Sequence, residues 1–137
     1  MDRADLERID DYQWTIPESF RDGMRVPVRI IAGDGLIDRI LSSKAIEQAI
    51  QTAMLPGLVG HLVVMPDVYE GQGAPVGMVA ATKYPVGVVA PGAIGHDINV
   101  GVRLLGSKIS ADLTDDQVDA LEEALHEHIP TGSDAEG

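Results

Sequence analysis

Apolar residues recur at Leu36, Ile37, Ile40 and Leu41, and again at Ala45, Ile46, Ala49, Ile50, Ala53 and Met54. This is the three-and-four spacing of a buried helix face, and it predicts helices over 36–42 and 44–55. Pro56-Gly57 stops the second. Ahead of them, Val26, Val28 and Ile30 alternate with other residues, the two-residue period of a strand. Pro27 lacks a backbone donor, which assigns the run 26–32 to a sheet edge. Asp34-Gly35 turns the chain between strand and helix. Residues 1–22 are polar with sparse anchors at Leu6, Ile9, Trp14, Ile16 and Phe20, the pattern of an arm packing on something larger. Residues 62–65 read as a short buried strand.

Beyond that strand the pattern changes. Between Pro56 and Gly106 lie ten of the fifteen glycines and five of the eight prolines, interrupting apolar runs at 76–81, 86–90 and 101–105. Strong apolarity between frequent turn residues predicts a compact β-region of short strands with Gly-rich loops. Thr114 and Gln117 have the spacing of a capping box, opening a helix to about His128 with Val118, Leu121 and Leu125 on one face and acidic residues on the other. Residues 129–137 have the composition of a frayed end. The expected fold class is α+β: short mixed β-strands and flanking helices in a single domain spanning 1–137.

Composition narrows the functional classes. The formal net charge is −12, and residues 107–137 hold nine Asp or Glu against the single Lys108. Such a balance argues against a general nucleic-acid-binding surface on this chain alone, because phosphate contacts need cationic side chains. With no cysteine, the chain has neither a disulfide framework nor a thiolate ligand or nucleophile. No run of apolar residues is long enough for a membrane helix, and the charged N-terminus is unlike a signal peptide, so a cytoplasmic location is expected.

The candidate chemistry lies in Met65-Pro66-Asp67-Val68-Tyr69-Glu70-Gly71 and Gly95-His96-Asp97-Ile98-Asn99-Val100-Gly101-Val102-Arg103. Glycines beside Asp67 and Asp97 allow a tight backbone that aims a carboxylate at a cation. The plain alternative is that both aspartates are turn residues. His96 is either a ligand beside Asp97 or a ring packed on the loop. Arg103 either reaches a phosphate or pairs with a carboxylate. His126 and His128 read as solvated residues near a helix C-terminus.

Extended to 65–81 and 87–104, these two segments in this order resemble the N-terminal signature of the RtcB-type RNA-splicing ligases. The resemblance extends to Leu6-Glu7-Arg8-Ile9-Asp10-Asp11-Tyr12, Trp14-Thr15-Ile16-Pro17, Gly23-Met24-Arg25-Val26-Pro27, Ala45-Ile46-Glu47-Gln48 and Leu55-Pro56-Gly57, and covers nearly the whole chain. It implies the N-terminal part of a larger RtcB-like fold, in an enzyme that uses GTP and manganese (Mn2+) to join RNA 2′,3′-cyclic phosphate or 3′-phosphate ends to 5′-hydroxyl ends. The reaction belongs to tRNA splicing and RNA repair. Asp97 matches the family's manganese-ligating aspartate, Asp67 an acidic residue near the same site, and Asn99 a position associated with nucleotide or phosphate contact. Implied partners are RNA (tRNA halves), a C-terminal ligase chain and an archease-like activator.

The departures from the pattern are specific. Val100 stands where the family has a ligating cysteine, and an isopropyl group cannot coordinate a metal. Tyr69 stands for the usual histidine, His96 for an aromatic, and Val76-Gly77-Met78 lacks a second glycine. The family's guanylated histidine and remaining histidine ligands lie beyond residue 137, and His61, His96, His126 and His128 match none of them, so no catalytic nucleophile is assigned. Three readings follow: an N-terminal part of a ligase, inactive by itself; a catalytically dead relative kept for binding or regulation; and a free-standing small-molecule or metal-binding domain, against which the lack of a Walker-type loop counts.

Overall fold

A computed structural model describes residues 1–95 and 101–129. The chain forms two compact units, residues 1–100 and 101–137. The fold class is α+β, as the sequence pattern implies.

In the first unit five strands, β1 (Glu7–Arg8), β2 (Gln13–Ile16), β3 (Val28–Ile31), β4 (Leu62–Tyr69) and β5 (Val76–Val79), lie side by side in chain order. All neighbours are antiparallel except β3 and β4, which run parallel and are joined through helices α1 (Asp34–Leu41) and α2 (Lys44–Thr52). The period-two residues Trp14, Ile16, Val28, Ile30, Leu62 and Val64 form one buried row across the sheet. They share a core with Ile37, Ile40, Leu41, Ile46, Ala49, Ile50 and Ala53 from the helical segment. The helices fall within a few residues of their expected bounds because the apolar spacing that defines them is also the face they bury.

The run expected at the sheet edge is instead its central strand. β3 pairs with β2 on one side and β4 on the other. Pro27 lies one residue before the strand, so its missing N–H is not required by the ladder, while its carbonyl accepts the Leu62 N–H at 3.1 Å. The N-terminal segment packs by joining the sheet: Gln13–Ile16 register against Val28–Ile31, and Trp14 and Ile16 are buried.

The N-terminus is further held by charge. Arg3 donates to Asp38 at 2.6 and 2.9 Å and to Asp34 at 3.0 Å, and Arg8 reaches Asp34 at 3.2 Å. Both guanidinium groups lie over the Trp14 ring, 5.6 and 5.0 Å from its centroid. The hydrogen bond from Arg3, helped by its charge and opposed by desolvation, holds the Asp38 carboxyl below its ordinary pKa; Arg21 does the same for Glu47. A depressed carboxylate stabilises the fold at neutral pH, and that contribution is lost as pH falls through the lowered value. Acid titration followed by Trp14 fluorescence should therefore show release of the N-terminal segment. Asp38→Asn should diminish that transition, and an identical acid profile for the variant would count against this account.

β4 is longer than the expected 62–65 and irregular. Val64 faces Met78 and Tyr69 faces Val76, so Met65–Val68 bulge opposite the single residue Gly77. Two expected strands do not form. Residues 86–90 form no strand, with Val86 and Val89 exposed and the Gly87 N–H turned back to the Lys83 carbonyl at 2.6 Å, and 101–105 have no regular structure, with Val102, Leu104 and Leu105 exposed. Apolarity alone does not make a strand without a partner to receive its ladder.

In the second unit, helix α3 (Asp115–His128) starts at Thr114, whose N–H donates to the Gln117 side chain at 3.0 Å, as the capping-box spacing implies. Its acidic residues, His126 and His128 are exposed, and its apolar Val118, Leu121 and Leu125 are also about half exposed. The expected frayed end, 130–137 in particular, lies outside the described residues. Among the described residues no helix is long and apolar enough to cross a membrane.

Candidate functional site

The bulge in β4 creates the site. Pro66 cannot donate to β5, which favours breaking the ladder there, and the displaced residues include Asp67. Opposite them Gly77 has φ +82°, and a Cβ at that position would fall 2.9 Å from the Val68 Cα and 3.1 Å from Asp67 Oδ1. Gly77 therefore both makes the left-handed turn of the backbone and leaves space for the Asp67 carboxylate. The alternation of strand faces is interrupted here, so residues 65–70 are mostly exposed although they follow a buried run.

Beside the bulge opens a cleft of roughly 1050 Å³. One wall comes from Tyr69, Glu70, Gln72 and Ala74 and the floor from β5; the opposite wall comes from residues 91–95. A smaller hollow of roughly 240 Å³ adjoins it, sharing Ala74, Gly92 and Ala93 with it and reaching Gln51, Thr52 and Leu55 of the helical segment. Glu70 is the only charged residue among the described lining of the large cleft, and Lys44 lies 3.7 Å from its carboxylate. By itself this lining offers a carboxylate, a phenol, an amide and apolar surface. It has no cationic side chain aimed at a polyanion.

Asp67 stands at the rim of this cleft, its carboxylate against Gly77, which lines it. Tyr69, at the position where the resembled family has histidine, is part of the wall. His96, Asp97, Asn99 and Val100 lie outside the described residues. Gly95, which precedes them in the chain, lines the cleft. Arg103 belongs to the second unit and is exposed; among the described residues it pairs with no carboxylate. His61 is remote in role, its Nε2 3.0 Å from the Arg29 guanidinium. Among the described residues no three His, Cys, Asp or Glu side chains converge as a cation site.

One polar stripe of α2 was not marked as functional by the sequence reading. Lys44, Gln48 and Thr52 follow one another at four-residue spacing along the flank of the buried face. They reach, in turn, Glu70, both backbone polar groups of Gly71, and the small hollow. The available signal was this spacing beside an apolar stripe, four residues being nearly one helical turn.

Comparison with known proteins gives the family. The profile of tRNA-splicing ligase RtcB matches residues 48–137. Among curated relatives, the tRNA-splicing ligase RtcB of Thermococcus kodakarensis is 41% identical over 132 residues, 96% of this chain and 27% of the relative. That of Nanoarchaeum equitans is 42% identical over 127 residues, 93% of this chain and 26% of the relative. That of Pyrococcus abyssi is 48% identical over 94 residues, 69% of this chain and 10% of the relative. The chain thus spans about a quarter of the length of the first two. With the profile running through both glycine-rich motifs, the chain belongs to the tRNA-splicing ligase RtcB family.

Proposed function

We propose that this chain supplies one part of an RNA-joining site and is inactive as an isolated chain. In that reading the whole ligase joins RNA 2′,3′-cyclic phosphate or 3′-phosphate ends to 5′-hydroxyl ends in tRNA splicing and RNA repair, with GTP and Mn2+, in the cytoplasm. Asp67 and Asp97 are this chain's contributions to the reaction centre, with Asn99 and His96 beside them. A C-terminal ligase segment provides the nucleophile and the remaining metal ligands, and an archease-like protein is a candidate activator.

The observation that carries the reading is the aspartate-bearing bulge at a glycine-lined cleft within the segment matched by the family. The donor set does not fit a complete manganese site. Mn2+ favours an octahedron of oxygen or nitrogen ligands, and two aspartates leave most of it unfilled. Val100 deepens the shortfall, having no lone pair to give. Guanylyl transfer through a histidine also needs an imidazole, which the described lining lacks.

The test is a hybrid in which residues 1–137 replace the corresponding quarter of the Thermococcus kodakarensis ligase. The isolated chain should join no RNA. The hybrid carrying Val100→Cys should ligate a 3′-phosphate end to a 5′-hydroxyl end, at least roughly 100-fold faster than with Val100, the scale set by losing a catalytic metal ligand's several kcal/mol. A folded Val100→Cys hybrid that stays silent would overturn the proposal in favour of a binding or regulatory role.

A further inference from the structure

We infer that Gln48 is the positioning residue of the cleft, fixing the Tyr69–Ala74 wall through a two-point clamp on Gly71. The inference rests on the cleft being this chain's share of the ligase site. Gln48 Nε2 donates to the Gly71 carbonyl at 2.7 Å, and Gln48 Oε1 accepts the Gly71 N–H at 3.0 Å. One planar amide thus satisfies both polar groups of one residue, as a neighbouring strand would.

The anchor is rigid, and in the anchored segment burial is confined to Ala74 and Pro75, beyond Gly71. Around Gln48, α2 buries Ala45, Ile46, Ala49 and Ile50 in the core, and the Thr52 hydroxyl donates to the Gln48 carbonyl at 2.8 Å. Residues 70–75 lie between β4 and β5 without regular structure, and outside the strand pairs no backbone–backbone hydrogen bond holds them among the described residues. Besides the clamp, the polar ties from this loop to α2 reduce to the exposed Lys44–Glu70 pair at 3.7 Å, a weak contact in water. Gly71 also has no room for a side chain: a Cβ there would meet the Ala74 carbonyl oxygen. The wall therefore pivots on a residue that cannot be bulkier, held by an amide that has one matching partner.

The chemistry of the clamp supplies its test. A carboxylate at position 48 accepts the Gly71 N–H but has no proton for the Gly71 carbonyl. A protonated carboxyl again offers one donor and one acceptor. Amide hydrogen exchange and cross-cleft nuclear Overhauser effects should be measured on the 137-residue chain, with rates corrected for intrinsic exchange. In the wild type, Gly71 should exchange more slowly than Gly73. In Gln48→Ala its protection should fall roughly tenfold, the scale of losing a partly buried hydrogen bond. Contacts between Gly73 and Gly92, which both line the smaller hollow, should weaken, while the Ala53 amide bonded to Ala49 keeps its protection. In Gln48→Glu at neutral pH the Gly71 N–H keeps its acceptor, so its protection should exceed that in Gln48→Ala, while the Gly73–Gly92 contacts should strengthen as the pH is lowered and the carboxyl regains a proton for the Gly71 carbonyl, with the wild type flat. Unchanged Gly71 protection in Gln48→Ala, or a Gln48→Glu variant that matches Gln48→Ala in Gly71 protection and in the Gly73–Gly92 contacts at every pH, would overturn the inference. If the Val100→Cys hybrid does not ligate, the functional reading fails, and these exchange profiles still decide the role of Gln48.

Discussion

Truncation of Ile30 to alanine should cost about 4 kcal/mol, within the range of about 2–5 for deleting a large buried aliphatic side chain. Ile30 is fully buried in the central strand, registered between Trp14 on β2 and Val64 on β4. Its neighbours are themselves fixed by strand pairing on both sides, so the walls of the resulting void have little freedom to collapse. For a unit of this size the loss corresponds to a fall in melting temperature of roughly 20 °C. Val79→Ala, on the edge strand and more than half exposed, should change stability by less than about 0.5 kcal/mol. Denaturant unfolding of both variants measures the contrast. A loss below about 1 kcal/mol for Ile30→Ala would show that the sheet centre is not packed as described.

Gly71→Ala should be the most damaging small change in the cleft, lowering stability by about 3 kcal/mol, at the upper end for overpacking. The added methyl would fall on the Ala74 backbone oxygen, and because that atom belongs to the main chain it cannot rotate away. The loop would have to reroute, breaking the two hydrogen bonds to Gln48 as well. Gly73→Ala is the control: its Cβ would lie 3.6 Å from the Gly92 carbonyl oxygen, ordinary contact, and its φ is not in the left-handed region. Thermal melts with amide spectra should show Gly71→Ala perturbing residues 69–76 while the Gly73→Ala spectrum stays close to wild type. Equal tolerance of the two substitutions would refute the close approach.

The parts of this architecture legible in the sequence are those in which local pattern and burial coincide. The α1 and α2 periodicities mark the residues that enter the core, and the Thr114–Gln117 spacing marks the start of α3. Pro27 misled because a proline excludes only its own position from a ladder, and the paired residues begin at Val28. The bulge was hidden because residues 65–68 are set by their register against Gly77 on the next strand, a relation that no single segment displays. Gln48 was missed for a similar reason: its partner is a backbone 23 residues away. The apolar runs at 86–90 and 101–105 resembled strands in composition but found no ladder. Of the site itself, Asp67 and the glycines were identified by motif, whereas the cleft that relates them to residues 91–95 is a tertiary product.

The agreement between spatial and chain order in the β1-β2-β3-β4-β5 sheet has a consequence for how the protein is made. Each strand after β1 pairs with the one that left the ribosome just before it, and the single parallel step waits only for α1 and α2 to emerge. The first four strands and both helices can close their core before β5 exists, so the cleft is assembled last, on a finished foundation. An error of synthesis or sequence in the cleft therefore arises after the core is secure, which lets that surface vary during evolution without jeopardising biogenesis of the unit that carries it.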